Sequence, residues 1–127
     1  MDKSQREFLL ILAYLYVRYG KYDEALLLYR GLHEFFVDDI EIILGLSFAL
    51  YLTDRPLEAI QYLEQLDGVE FDQRLEKLFY LVRSHVDWKI GRDSDARNDL
   101  IHYLGMEETE IRKHEAVSGN EVEEFLL

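Results

Sequence analysis

The sequence predicts an all-α fold of three helix–turn–helix units packed in series. Three observations predict it. First, the chain repeats itself. Gly20-Lys21-Tyr22-Asp23-Glu24-Ala25, followed by Tyr29 and Leu32, returns as Asp54-Arg55-Pro56-Leu57-Glu58-Ala59, followed by Leu63 and Leu66. It returns again as Gly91-Arg92-Asp93-Ser94-Asp95-Ala96, followed by Leu100 and Tyr103. Ala25 to Ala59 is 34 residues and Ala59 to Ala96 is 37, and a near-constant period of this length marks stacked supersecondary units. Second, apolar residues recur three to four positions apart, and strand-like alternation persists nowhere. Third, the composition is globular: 127 residues, 49% hydrophobic and 31% charged, without a cysteine to staple it.

The elements follow in order. A first helix over 5–19 contains FLLILAYLYV at 8–17, ten apolar or aromatic residues in a row. That is about half of the ~20 residues needed to span a bilayer. Lys3 and Arg6 before it are balanced by Asp2 and Glu7, and no small-residue cleavage site follows, so neither a span nor a signal peptide is expected. Gly20 can take the positive φ that ends this helix. Helices over 22–36, 39–52, 55–67, 72–90 and 93–105 complete the set. Pro56 falls in a first turn, where its missing N–H costs nothing. Ala13, Ser47 and Ser84 on the first helices, and Ala25, Ala59 and Ala96 on the second, let paired helices approach closely. The units cover about 6–39, 40–73 and 74–107, within a repeat domain at 1–105. Residues 106–127 hold seven glutamates against Arg112 and Lys113, and Ser118-Gly119-Asn120 breaks the run. An acidic capping helix near 107–117 and a frayed tail ending in Phe125-Leu126-Leu127 are expected, because a repeat stack needs a polar cap.

These residues carry a resemblance to the tetratricopeptide repeat, a 34-residue helix–turn–helix that stacks in a right-handed superhelix. Leu12-Ala13, Tyr16, Gly20, Tyr22, Ala25 and Tyr29 of the first unit sit at family positions. The departures are Asp54 for a glycine, Asp87 where a large apolar residue is usual, and the absence of the family's closing proline. The resemblance implies that one side of each first helix builds the fold and the other lines a concave groove. Counted back from Gly20, Asp54 and Gly91, the groove positions are Leu10, Tyr14 and Val17, then Leu44, Phe48 and Tyr51, then Leu81, His85 and Trp88. Spacings of three and four put each set on one helical face. None of the nine is Lys, Arg or Asn, the residues with which related repeats clamp a peptide carboxylate.

Such a surface suits an amphipathic helix or an extended hydrophobic segment. Two other occupants stay open: the C-terminal helix or tail folding back, and a second copy in a homodimer when no client is present. Asp87 has Arg83 one turn earlier, which leaves a local ion pair or a contact with a polar client group.

Charge and chemistry narrow the function further. The 26 acids against 14 bases give a formal net charge of −12. That argues against nucleic acid, which needs a basic patch, and against anionic membrane surfaces. A neutral or basic protein partner is favoured. His33, His85, His102 and His114 lack metal spacing, and no phosphate loop or nucleophile elbow occurs. No enzyme activity, metal or cofactor is expected.

Small, acidic, cysteine-free, three-unit repeats with apolar grooves resemble the tetratricopeptide-class chaperones of bacterial type III secretion systems. Gln5-Arg6-Glu7-Phe8-Leu9-Leu10, Ser84 through Gly91, Ala96-Arg97 and His102-Tyr103-Leu104 look similar to the YscY-type members, with the needle-subunit (YscG-type) chaperones second. The resemblance covers about residues 4–105. It implies a chaperone in the bacterial cytoplasm, near the inner-membrane export gate. Its client would be a secreted early export component or needle subunit, held by a hydrophobic helix without insertion in the membrane.

Overall fold

The computed structural model describes residues 1–115. Among these the chain is all-α, with α1 (Lys3–Arg18), α2 (Tyr22–Phe35), α3 (Ile40–Leu52), α4 (Pro56–Glu64), α5 (Gln73–Lys89) and α6 (Asp93–Glu115). Each helix packs on its successor, and α3 also packs on α5. The result is three helical hairpins in series. The expected frayed tail, with Phe125-Leu126-Leu127, lies outside the described residues.

Local chemistry explains where the helices start. The first helix of every hairpin begins with an aspartate cap. Asp2 accepts from the Gln5 N–H at 2.8 Å while the Gln5 side chain accepts from the Asp2 N–H at 3.0 Å, a reciprocal capping box. Asp39 and Asp72 accept from the N–H groups of Ile42 and Leu75 at 3.2 and 2.9 Å. Each such contact satisfies an otherwise orphaned helix donor.

Their ends are equally regular. The N–H groups of Lys21, Arg55 and Arg92 reach back to the carbonyls of Tyr16, Leu50 and Asp87 at 2.7–2.8 Å. Gly20, Asp54 and Gly91 stand at the junctions with φ of 76°, 63° and 83°. This is a Schellman closure three times over. Asp54 substitutes for glycine there because a short polar side chain tolerates the left-handed region best after glycine itself.

The core sits on α3. Its sequence, IEIILGLSFALYL, is apolar on every side, as a helix walled in by others must be. Ile42, Leu44, Leu46, Ala49 and Leu50 are fully buried, joined by Leu32 of α2, Leu63 of α4 and Val86 of α5. The small residues Ala13, Ala25, Ser47, Ala59, Ser84 and Ala96 are all buried. The two serine hydroxyls donate to the Ile43 and Leu81 carbonyls, so their burial leaves no polar group unpaired.

Two boundaries differ from the sequence reading. Helix α4 stops at Glu64 rather than 67, because the chain tightens into i→i+3 bonds at Gln65, Leu66 and Asp67 before Gly68, at φ 77°. At the other end, the separate capping helix expected near 107–117 is a direct continuation of α6. Gly105 does not break the helix. The Tyr103 hydroxyl donates to Glu107, which also pairs with Lys77 of α5. That contact straddles the glycine and ties both halves of α6 to α5.

Candidate binding groove

The inner faces of α1, α3 and α5 enclose a hollow of about 580 Å³. Helix α1 supplies Leu10, Ile11, Tyr14 and Val17; α3 supplies Leu44, Gly45 and Phe48; α5 supplies Leu78, Leu81, Val82 and His85. Tyr29 of α2 closes the gap between α1 and α3. Glu7, Glu41 and Arg74 are the charged residues of its lining. They are tied to one another: Arg6 pairs with Glu7 at 2.6 Å and with Asp39 at 2.8 Å, and Arg74 pairs with Glu41 at 3.3 Å. The mouth therefore carries ion-paired charges, three acids against two bases, around an apolar interior.

Of the nine positions counted from the sequence, Leu10, Tyr14, Val17, Leu44, Phe48, Leu81 and His85 line this hollow. They do so at different depths. Leu44 is fully buried and Leu10 nearly so, forming the floor, whereas Tyr14 is 56% exposed. Tyr51 and Trp88 stand apart from the lining. Tyr51 stacks on Phe48 with centroids 5.9 Å apart and meets His85 edge-on at 5.6 Å, while Lys89 sits 5.4 Å over its ring. This aromatic cluster bounds one end of the hollow, and Trp88, 67% exposed, lies beyond it. On α3 and α5 the lining is thus displaced by one helical turn toward the N-termini, while α1 keeps all three counted positions.

That displacement brings in residues the sequence count omitted. Ile11 lies three residues before Tyr14 and Leu78 three before Leu81, so the same i, i+3 rule carried one turn further finds both. Gly45 and Tyr29 had no such signal, since they belong to the floor through contact between different helices. His85 Nδ1 lies 2.8 Å from the Leu81 carbonyl. Donation there leaves Nε2 as the acceptor nitrogen of the neutral ring.

Asp87 does not face the hollow, and Arg83 is not its ion-pair partner. Arg83 forks onto Asp99 of α6 at 2.8 and 2.7 Å, and reaches Asp67 at 3.4 Å. Asp87 lies buried beside Asp99 at the α5–α6 junction. Burial, the hydrogen bond with Asp99 and the Asp99 charge push its carboxyl up to about 6 against the pull of Arg83. Asp87 therefore holds its proton to a higher pH than a solvated aspartate does.

Among the described residues no group of three or more histidines and acids is placed to hold a metal. No helix among them is long and apolar enough to cross a membrane. Neither a protein-family model nor a curated protein matches the chain.

Proposed function

We propose that this chain is a non-catalytic, tetratricopeptide-like chaperone of bacterial type III secretion. In this reading it holds a hydrophobic helical segment of a secreted export or needle component in the α1–α3–α5 hollow. The carrying observation is that three helices, each already supporting the core, converge further apolar side chains on one open concavity. A folded chain gains nothing by leaving Ile11 and Tyr14 in water at 59% and 56% exposure. An amphipathic helix laid across them would bury side chains worth about 1.5–3 kcal/mol each. Three or four such anchors supply about 4.5–12 kcal/mol, of the same order as the cost of association. The secretion class, the cytoplasmic location and the export-gate contact come from the resemblance alone.

Tyr14→Asp and Phe48→Asp place charge in the hollow at partly exposed positions. Each should abolish co-purification of the secreted client while helical content stays near that of wild type. Client binding that survives both changes would remove the groove from the account. A permanent structural adaptor is the second reading, favoured by the apolar faces at both ends of the stack. Cell fractionation separates the two. A chaperone stays inside while its client leaves; an adaptor travels or remains with its partner.

A further inference from the structure

Helix α1 has a third apolar face, opposite neither the core nor the hollow. Phe8, Leu15 and Tyr19 lie along it, 65%, 39% and 74% exposed. The repeat register identifies what this face is. With Ala13, Ser47 and Ser84 aligned, Phe8 corresponds to Ile42 and Phe79, and Leu15 to Ala49 and Val86. All four counterparts are buried, at 0%, 5%, 0% and 0% exposure. In the second and third hairpins, then, this is the face that packs on the hairpin before it.

Helix α6 carries the matching half. Aligned on Ala25, Ala59 and Ala96, Tyr29 and Leu63 correspond to Leu100. Tyr29 and Leu63 are 8% and 0% exposed, whereas Leu100 is 43% exposed. Tyr29 is buried because its ring lies on Gly45 of the following hairpin. Ile101 and Leu104 extend the stripe at 60% and 53%. Repeat stacks in general present polar faces at their ends. Among the described residues, both ends here present the two halves of the interface that α2–α3 and α4–α5 already use internally.

We propose that copies of this chain associate end to end, the α1 outer face of one seating on the α6 outer face of the next. The contact continues an interface that the chain forms twice within itself: the α1 half is apolar where its counterparts are buried, and on α6 Leu100 matches the buried Tyr29 and Leu63, with Ile101 and Leu104 beside it and Arg97 at the position of the buried Leu26 and Ile60. It is a heterologous contact, so it extends the row rather than closing it. Ile11 stands at the register position of Gly45, so the contact borders the hollow; its own anchors are Phe8, Leu15 and Leu100, and it is tested separately from the chaperone reading.

The test is sedimentation of the full-length chain over a concentration series, with one end blocked at a time. Leu15→Glu blocks the α1 face and Leu104→Glu the α6 face, both at exposed positions. Wild type should grow in mass with concentration, and each variant alone should stay single. An equimolar mixture of the two should form a two-chain species at least tenfold more abundant than in either alone, because one intact α6 face meets one intact α1 face. Phe48→Asp, in the hollow, should associate as wild type does.

Four results overturn the proposal. The first is wild type that stays a single chain at every concentration up to millimolar, which hands both faces to a different partner. The second is Leu104→Glu that associates like wild type, which makes the contact α1-to-α1. The third is a mixture that fails to pair. The fourth is loss of association in Phe48→Asp, which places the contact in the hollow. If Leu15→Glu loses helical content, Phe8→Glu blocks the same face at a more exposed position and takes its place.

Discussion

The ring of Tyr29 occupies the space that a β-carbon on Gly45 would need. A methyl there would lie 2.3 Å from the Tyr29 ring. Gly45 thus lets α2 close on α3, and both residues line the hollow. Gly45→Ala should cost about 1–3 kcal/mol, the usual range for overpacking. It should also drive the Tyr29 ring toward the hollow. Chemical denaturation of Gly45→Ala, Tyr29→Leu and the double variant checks this. The double variant should be more stable than the sum of the single losses implies, since the shorter side chain removes the clash.

Asp54 holds a positive φ of 63° where the other two hairpins use glycine. Left-handed backbone costs a residue with a β-carbon roughly 1–2 kcal/mol, less for aspartate. Its ion pair with Lys89, 3.3 Å long, is largely in solvent, and such pairs contribute little. Asp54→Gly should therefore stabilise the chain by about 0.5–1 kcal/mol, visible as a thermal midpoint raised by a few degrees. An unchanged or lowered midpoint would mean that the Lys89 contact outweighs the backbone term.

The Asp87–Asp99 pair predicts a pH dependence of unusual sign. The folded value of Asp87, about 6, lies above its ordinary 3.8. The folded chain keeps a proton that the unfolded chain releases between these values. This contribution is fully present below about pH 4 and is lost as pH rises through 6. One pKa unit corresponds to about 1.4 kcal/mol, so the effect is at most about 3 kcal/mol. Asp87→Asn should gain stability at pH 7.5 and show a weaker decline between pH 4 and 6.5 than wild type, by urea unfolding. Glu58 is shifted the opposite way by Arg30, but equally in both proteins, so the difference between them reports Asp87.

Most of the fold is legible in the sequence because its signals are local. Gly20, Asp54 and Gly91 mark turns through their own backbone chemistry, and Ala25, Ala59 and Ala96 fix the register by their size. Seven groove positions follow from helical spacing once the repeat resemblance says which face of each first helix lines the groove. What escapes has non-local causes. Which turn of a helix meets its neighbour depends on packing between helices, so the hollow includes Ile11 and Leu78 and leaves out Tyr51 and Trp88. The sequence reading ends one helix at 105 and begins a capping helix near 107, yet α6 runs on, with the Lys77–Glu107–Tyr103 contact spanning the junction. Asp87 reads as a local partner of Arg83 or a contact for a client, but the residue that decides its fate is Asp99 of α6, twelve residues further on.

FLLILAYLYV has the same kind of answer. Leu9, Ala13 and Tyr16 turn inward, and Leu10, Tyr14 and Val17 turn to the hollow. Phe8 and Leu15 form the outer face that the sequence reading did not separate. α3 is comparably apolar but is enclosed by α2, α4 and α5. α1 has fewer neighbours, so two of its three sides remain available.

The central claim is that the α1–α3–α5 hollow is where a partner binds. Site-specific photo-crosslinking in the native cell tests it most directly. A photoreactive residue is placed in turn at Tyr14 and Leu78, in the hollow, and at Leu27 and Leu57, on α2 and α4 and 74% and 67% exposed. The account predicts one and the same secreted protein crosslinked from positions 14 and 78 and from neither of the others. Adducts from positions 27 and 57 with none from 14 and 78 would contradict it.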